Sequence, residues 1–385
     1  MPCAFTLTCL SGTCIRPHNH TFLARLRHHT YTAVCVAATT AAYITACLAT
    51  CLALIALPAA HAATKPAAAA ATSQATIDAL SRANQSVVGV QVVATEGARS
   101  AQTLGARRSG SGVVIGPDGL ILTIGYLMLE ADTIQITTQD NKTLPARAVA
   151  YDLATGFGLL RPVVPMRGIT PVLLGSATSL KTGDALMAST GALPNTEGDV
   201  SMTQLVSKRA FSGYWEYHIE SALFTSPPVD NHSGAPLFNQ KGELLGIGSL
   251  FVTDALGQNV RSPGNMFVPV DLLKPILAEM EQTGTSKLSR RPWLGLTSTE
   301  LSGKVQIVRV NAESPAQTAG LQPGDVVLAV DDAKVASLEA FYKKLWDRAE
   351  PDAEVKLTIL QGAEMKTVVL KPVDRMRTMR KPAGI

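Results

Sequence analysis

Beyond residue 51 the chain has no cysteine: all six, Cys3, Cys9, Cys14, Cys35, Cys47 and Cys51, fall near the start of a 385-residue sequence. The remainder can form no disulfide, hold no metal through thiolate and use no cysteine nucleophile. Histidine is nearly as scarce. Five of the seven lie in the first 62 residues, leaving His218 and His232 as the only imidazoles beyond, so any mechanism needing such a base has two residues to draw on. Excess charge is missing too. Residues 1–62 hold three of the 34 lysines and arginines and none of the 30 acidic residues, so the remainder carries 31 minus 30, or +1. A nearly neutral body with no basic block before its extreme C-terminus offers no footprint for nucleic acid.

What is present first is a leader. Arg16, Arg25 and Arg27 precede an uncharged, mostly apolar run from Thr32 to Leu57, then Pro58-Ala59-Ala60-His61-Ala62. This is the order of a secretory signal peptide with cleavage expected after Ala62, and the run is also long enough for an uncleaved anchor. Both readings keep the arginines inside and export the rest to the periplasm, attached to the inner membrane only if the leader stays. Residues 63–75 read as an Ala-rich linker, with a short amphipathic helix expected from Ser73.

From Val87 to about Val270 short apolar strands alternate with turn signals such as Pro117-Asp118-Gly119, the pattern of an all-β barrel or sandwich. Within it, Asp230-Asn231-His232-Ser233-Gly234-Ala235-Pro236-Leu237 reads as a tight loop dropping into a hairpin, and Ser-Gly-x-Pro is also a common structural turn. After a helix capped by Asp271, expected over Leu272 to about Gln282, a second unit opens at Arg290-Arg291-Pro292-Trp293-Leu294-Gly295-Leu296. It continues through Ser314-Pro315-Ala316-Gln317-Thr318-Ala319-Gly320-Leu321, a short helix with proline at its first turn and glycine at its end.

The order of Gly110-Ser111-Gly112, Asp118-Gly119 leading into Ile121-Leu122-Thr123, Ser233-Gly234-Ala235-Pro236-Leu237 and Phe267-Val268-Pro269-Val270-Asp271 resembles the protease domain of the HtrA/DegP family. Ser314 through Val327 resembles the PDZ module that follows it there. The resemblance implies a mainly β chain, a trypsin-like double β-barrel followed by an α+β PDZ domain. The divisions expected are the leader 1–62, linker 63–75, barrels 76–283, linker 284–291, PDZ domain 292–373 and basic tail 374–385. It implies no cofactor and no metal. It makes Ser233 the vestigial nucleophile and Asn231, His232 and Ser233 the oxyanion loop. Tyr126 stands where the family keeps its histidine and Gly156 where it keeps its aspartate. It also makes Trp293, Leu294, Gly295 and Leu296 a loop whose amides capture a peptide's C-terminal carboxylate, although large apolar residues there also suit ordinary core.

A serine hydroxyl needs a base in reach with a pKa near working pH, and a neutral phenol, with a pKa of about 10, is not one. The expectation is therefore an exported, catalytically inactive protease homologue that binds C-terminal or unfolded peptides in a regulatory or quality-control role. The alternatives are an active endopeptidase with a site rebuilt around Ser233, and a scaffold that binds no peptide. The partners implied are peptides, a homotrimer or a related active protease. The tail from Arg375 to Lys381 reads as a solvated end, and Ile385 as a residue able to dock in a neighbour's groove.

Overall fold

Short runs rich in Val, Ile and Leu give strands, several of them buried along their whole length, and the structure rolls twelve of them into two closed barrels. The computed structural model describes residues 64–194, 196–257, 260–348 and 350–380, with backbone alone over 64–72. From Pro66 onward the described chain is one compact unit. The expected leader and Ile385 lie outside the described residues.

The first barrel joins β1 (Val87–Ala94), β2 (Arg107–Val114), β3 (Ile121–Ile124), β6 (Phe157–Pro162), β5 (Thr143–Tyr151) and β4 (Ala131–Thr137) in that order. The second joins β10 (Pro236–Phe238), β11 (Leu244–Val252), β12 (Gly264–Pro269), β9 (Tyr217–Ser226), β8 (Val200–Gly213) and β7 (Ala185–Ser189). A separate sheet follows, β13 (Leu296–Leu301), β14 (Lys304–Val310), β15 (Val326–Val330), β17 (Val355–Gln361) and β18 (Glu364–Leu370), with β16 (Ala333–Lys334) pairing with β15. In this sheet β13 is an edge. The helix Leu338–Trp346 closes over it, capped by Ser337, whose hydroxyl accepts from Ala340 N–H. Leu338, Phe341, Tyr342 and Leu345 form its buried stripe.

Three local expectations need correction. The stretch 63–75 is not a linker, because Thr64–Gln85 is a single helix; runs of alanine have the highest helix propensity and extend the expected segment backwards. Within it Ala83 is buried but Ile77 is exposed. Asp271 does not cap a helix over Leu272. A 3₁₀ turn spans Val270–Leu272 and the α-helix is Leu277–Thr283, while the Asp271 carboxylate accepts from Ser176 Oγ and Ala177 N–H. The basic tail is packed as far as Arg380: Arg375–Thr378 forms a 3₁₀ turn, Arg380 N–H donates to Glu130 Oε1, and its guanidinium reaches the Glu96 carbonyl. A buried carboxylate with an open lone pair draws in a backbone donor that would otherwise be solvated.

Buried Arg108 fixes the turn that follows β3. Its Nη1 donates to the carbonyls of Leu129 (2.6 Å) and Tyr126 (3.2 Å), its Nη2 to Ser100 Oγ (2.7 Å) and its Nε to Gly105 C=O (3.0 Å). One guanidinium fork thereby satisfies carbonyls that no ladder pairs, and holds the 3₁₀ turn Gly125–Met128 that carries Tyr126. Replacing Arg108 with leucine is expected to destabilise the full chain by about 2–4 kcal/mol, because several buried acceptors lose their donor together; a urea midpoint within error of the wild type would show the fork to be dispensable.

Candidate functional site

The Ser233 loop runs from β9 to β10 and is pinned on both sides. Ser233 C=O accepts from Ser111 N–H at 2.8 Å, Gly234 N–H donates to Gly248 C=O at 2.8 Å and Ala235 N–H to His232 C=O at 3.0 Å. Asn231 sits at φ +52° and Gly234 at +75°. A Cβ on Gly234 would lie 2.0 Å from the Ser111 carbonyl oxygen, so this curl admits only glycine there.

Tyr126 Oη lies 2.7 Å from Ser233 Oγ and 2.9 Å from the carbonyl oxygen of Ser249. That carbonyl is free because the β11–β12 register shifts between Gly248 and Leu250, taking Ser249 out of the ladder. A carbonyl only accepts and a phenol has one proton. Both contacts are satisfied when Tyr126 donates to Ser249 and Ser233 donates to the phenol oxygen. The serine proton thus faces an acceptor that is not a base. Burial pushes the Tyr126 hydroxyl up to about 12, against the opposing effect of the Ser233 contact. At neutral pH its phenolate is then populated at roughly one part in 10⁵.

Gly156 lies beside this pair at φ +83°, on the wall of the same cavity. A Cβ there would stand 3.5 Å from Tyr217 Oη, which donates to the Thr155 carbonyl at 2.7 Å. That is ordinary contact distance, so what disfavours a side chain at 156 is its left-handed backbone. Among the described residues neither histidine bonds the Ser233 hydroxyl, although His232 lines the same cavity. Burial holds His232 below the usual imidazole range, against its hydrogen bond to the Val229 backbone and the charge of Asp230. His218 sits on β9, its Nδ1 2.8 Å from Ser212 Oγ and its Nε2 3.5 Å from Glu220. Among the described residues the side-chain partner of the Ser233 hydroxyl is Tyr126.

The expected carboxylate loop is already filled. Glu216, in the turn between β8 and β9, places its carboxylate on three successive amides: Leu294 N–H donates to Oε2 at 3.0 Å, and Gly295 and Leu296 N–H donate to Oε1 at 2.8 and 2.7 Å. Gly295 is at φ +84°, and a Cβ there would fall 2.2 Å from Ser314 Cβ, which is why the loop can turn three amides toward one point. Trp293 does not join them. Its N–H donates to Val373 C=O, and the Trp293 and Leu294 side chains are buried; of the four residues expected to hold a carboxylate, three present amides. Around the carboxylate, Tyr342 Oη donates to Gly213 C=O at 2.8 Å and accepts from Glu216 N–H at 3.3 Å, and Ser298 N–H donates to Tyr214 C=O at 2.9 Å.

Glu216 carried no signal in the sequence beyond being the one acid inside Tyr214-Trp215-Glu216-Tyr217, and its partners are some eighty positions away. The same turn walls a cavity of about 700 Å³ that extends from Tyr126, Gly156, His232 and Ser249 to Trp293 and Arg309. Its volume and aromatic lining suit an apolar or extended ligand.

Residues 110–247 match the trypsin-like peptidase domain family, and residues 292–371 match the PDZ domain family. The chain is HtrA/DegP-like. It is 27% identical over 297 residues to a mitochondrial HTRA2 serine protease of Drosophila pseudoobscura pseudoobscura, covering 69% of this chain and 66% of that one. It is 29% identical to a probable periplasmic DegP-like serine endoprotease of Halomonas elongata, covering 70% and 57%. A similar protein of Hahella chejuensis is 27% identical, covering 72% and 61%. This HtrA/DegP-like chain thus spans somewhat under two thirds of the length of these relatives. Among solved structures, a variant of the HtrA-type protease AlgW with a tripeptide shares the fold at a TM-score of 0.50 and 19% identity, over 80% of this chain and 98% of that one.

Within the HtrA/DegP-like chain, burial pushes the Glu216 carboxyl up to about 7, with the loop amides and Arg375 pulling the other way. Tyr342, the other titratable group against it, is held protonated by burial. Since the folded value lies above the ordinary 4.5, the docking stability is whole below about pH 4.5 and is lost as pH rises through 7, by about 3 kcal/mol in all. Hydrogen-exchange protection of the Leu294, Gly295 and Leu296 amides, corrected for intrinsic rate, should fall between pH 5 and 8. Glu216→Gln should flatten that profile, and an equally steep profile in the variant would assign the titration elsewhere.

Proposed function

We propose that the chain is an exported, catalytically inactive protease homologue whose PDZ domain binds C-terminal or unfolded peptides in a regulatory or quality-control role. The observation that carries this reading is the Ser233 hydroxyl set against the Tyr126 phenol. Hydrolysis by a serine needs its proton removed as the oxygen attacks, and the phenol in contact with it, pushed up to about 12 by burial, is almost wholly protonated at neutral pH and a poor acceptor for that proton. On this reading Tyr126 stands at the position of the family's general base and Gly156 at that of its orienting carboxylate. Loss of triad members of this kind typically lowers turnover by 10⁴ or more.

Three amides turned to one carboxylate support the peptide-binding half of the proposal, since the same constellation captures a free C-terminus. Export follows from the leader, and the periplasm from the names of the Hahella and Halomonas relatives. Among the described residues no helix is long and apolar enough to cross a membrane. A trimer of this chain, or a complex with a catalytically competent relative, is the assembly we propose for it.

Incubation of the exported protein with unfolded casein and a serine-directed fluorophosphonate should give neither cleavage nor labelling from pH 6 to 10. Ser233→Ala should behave identically to the wild type. Labelling of Ser233 together with cleavage that the Ser233→Ala variant loses would establish an active endopeptidase with a rebuilt site instead.

A further inference from the structure

The β8–β9 turn does more than touch the carboxylate loop; it fills the groove in the register of a bound peptide. Extended ligands add to a sheet edge antiparallel to the strand they meet, with their terminal carboxylate on the loop that precedes it. β13 is that edge strand, and Ser298 N–H, two residues beyond Leu296, donates to the carbonyl of Tyr214, two residues before Glu216. Tyr214, Trp215 and Glu216 therefore lie where the last three residues of a peptide would lie, with the Glu216 side chain supplying the carboxylate. The opposite wall is the helix Leu338–Trp346, whose Tyr342 bonds Gly213 and Glu216 and whose Lys343 pairs with Glu220 at 2.9 Å. Each donor that a C-terminal ligand would use is engaged by the barrel's own hairpin.

We propose that this hairpin is a built-in competitor, so that the groove binds a free peptide C-terminus only when Glu216 leaves the loop. This inference rests on the reading of the sheet as a peptide-binding PDZ domain and adds the means by which that binding is held off. Two carboxyl groups cannot share three amides: the second would enter a buried site with no donors left for it. Entry of a peptide consequently separates β13 from the β8–β9 turn and opens the wall that Tyr214, Trp215, Glu216 and Leu296 give to the 700 Å³ cavity beside Tyr126. A ligand at the sheet thus changes access to the cleft of the barrels.

The test uses the full chain and a fluorescein-labelled decapeptide ending Tyr-Trp-Val, with a free or an amidated C-terminus, followed by anisotropy. Glu216→Ala empties the loop, and Glu216→Gln keeps its shape while weakening the acceptor. The free-acid peptide is expected to bind the alanine variant at least tenfold more tightly than the wild type, with the glutamine variant between them. The amidated peptide should bind all three weakly and alike. Glu364→Gln, on β18 and outside the hairpin and its contacts, should match the wild type. Tight, carboxylate-dependent binding of equal strength by wild type and Glu216→Ala would overturn the inference and leave peptide binding standing. No binding by any form, with exchange showing amides 294–296 exposed in Glu216→Ala, would overturn both.

Discussion

A buried carboxyl group set on three backbone amides ties the barrels to the sheet that follows them. Everything around Glu216 is arranged to make that tolerable. Gly295 alone can adopt the conformation that turns the amides inward, and the positive φ of Glu216 itself, +60°, aims its side chain away from its own hairpin. The Tyr342 hydroxyl closes the gap between hairpin and helix, so that the backbone polar groups of the turn are matched as well. Remove the acid and the sheet keeps its core, which includes Leu294, Val305, Ile307, Phe341 and Leu357, but it loses the three hydrogen bonds that orient it.

The Ser233 site is built by a different logic, from hydroxyl and carbonyl groups that satisfy one another. A nucleophile is useful when its proton has somewhere to go; here it is shared with a phenol that is itself committed to a carbonyl. The surrounding scaffold is nonetheless intact. Arg108 still shapes the turn, Thr123 Oγ1 donates to Ser111 C=O, and the glycine curl is held between strands of both barrels. The two barrels thus hold the serine loop in a fixed geometry whatever the chemistry at its centre.

Much of this was legible in the order of residues. Short apolar strands set between turn signals such as Pro117-Asp118-Gly119 pointed to a barrel or sandwich, and family resemblance along Ser314–Val327 to the PDZ domain, because both signals are local in the chain. The meeting of Tyr126 with Ser233 followed from family order rather than from chemistry in the string. What stayed hidden was long-range or negative in character. A bulge that frees the Ser249 carbonyl, a guanidinium collecting carbonyls across a loop, and an acid reaching amides some eighty positions ahead leave no periodic trace. The alanine run at 64–72 was read as a spacer, because composition without an apolar stripe resembles a linker even where helix propensity is highest.

The Tyr217 ring links the cleft to the hairpin. Its hydroxyl is anchored to the Thr155 carbonyl, one residue before Gly156, whose left-handed backbone would strain any side chain. The same ring stacks on Trp215 at 5.5 Å and so braces the hairpin carrying Glu216. One aromatic side chain thereby joins the floor of the barrels' cleft to the seat of the following sheet, and a disturbance at either end is felt at the other.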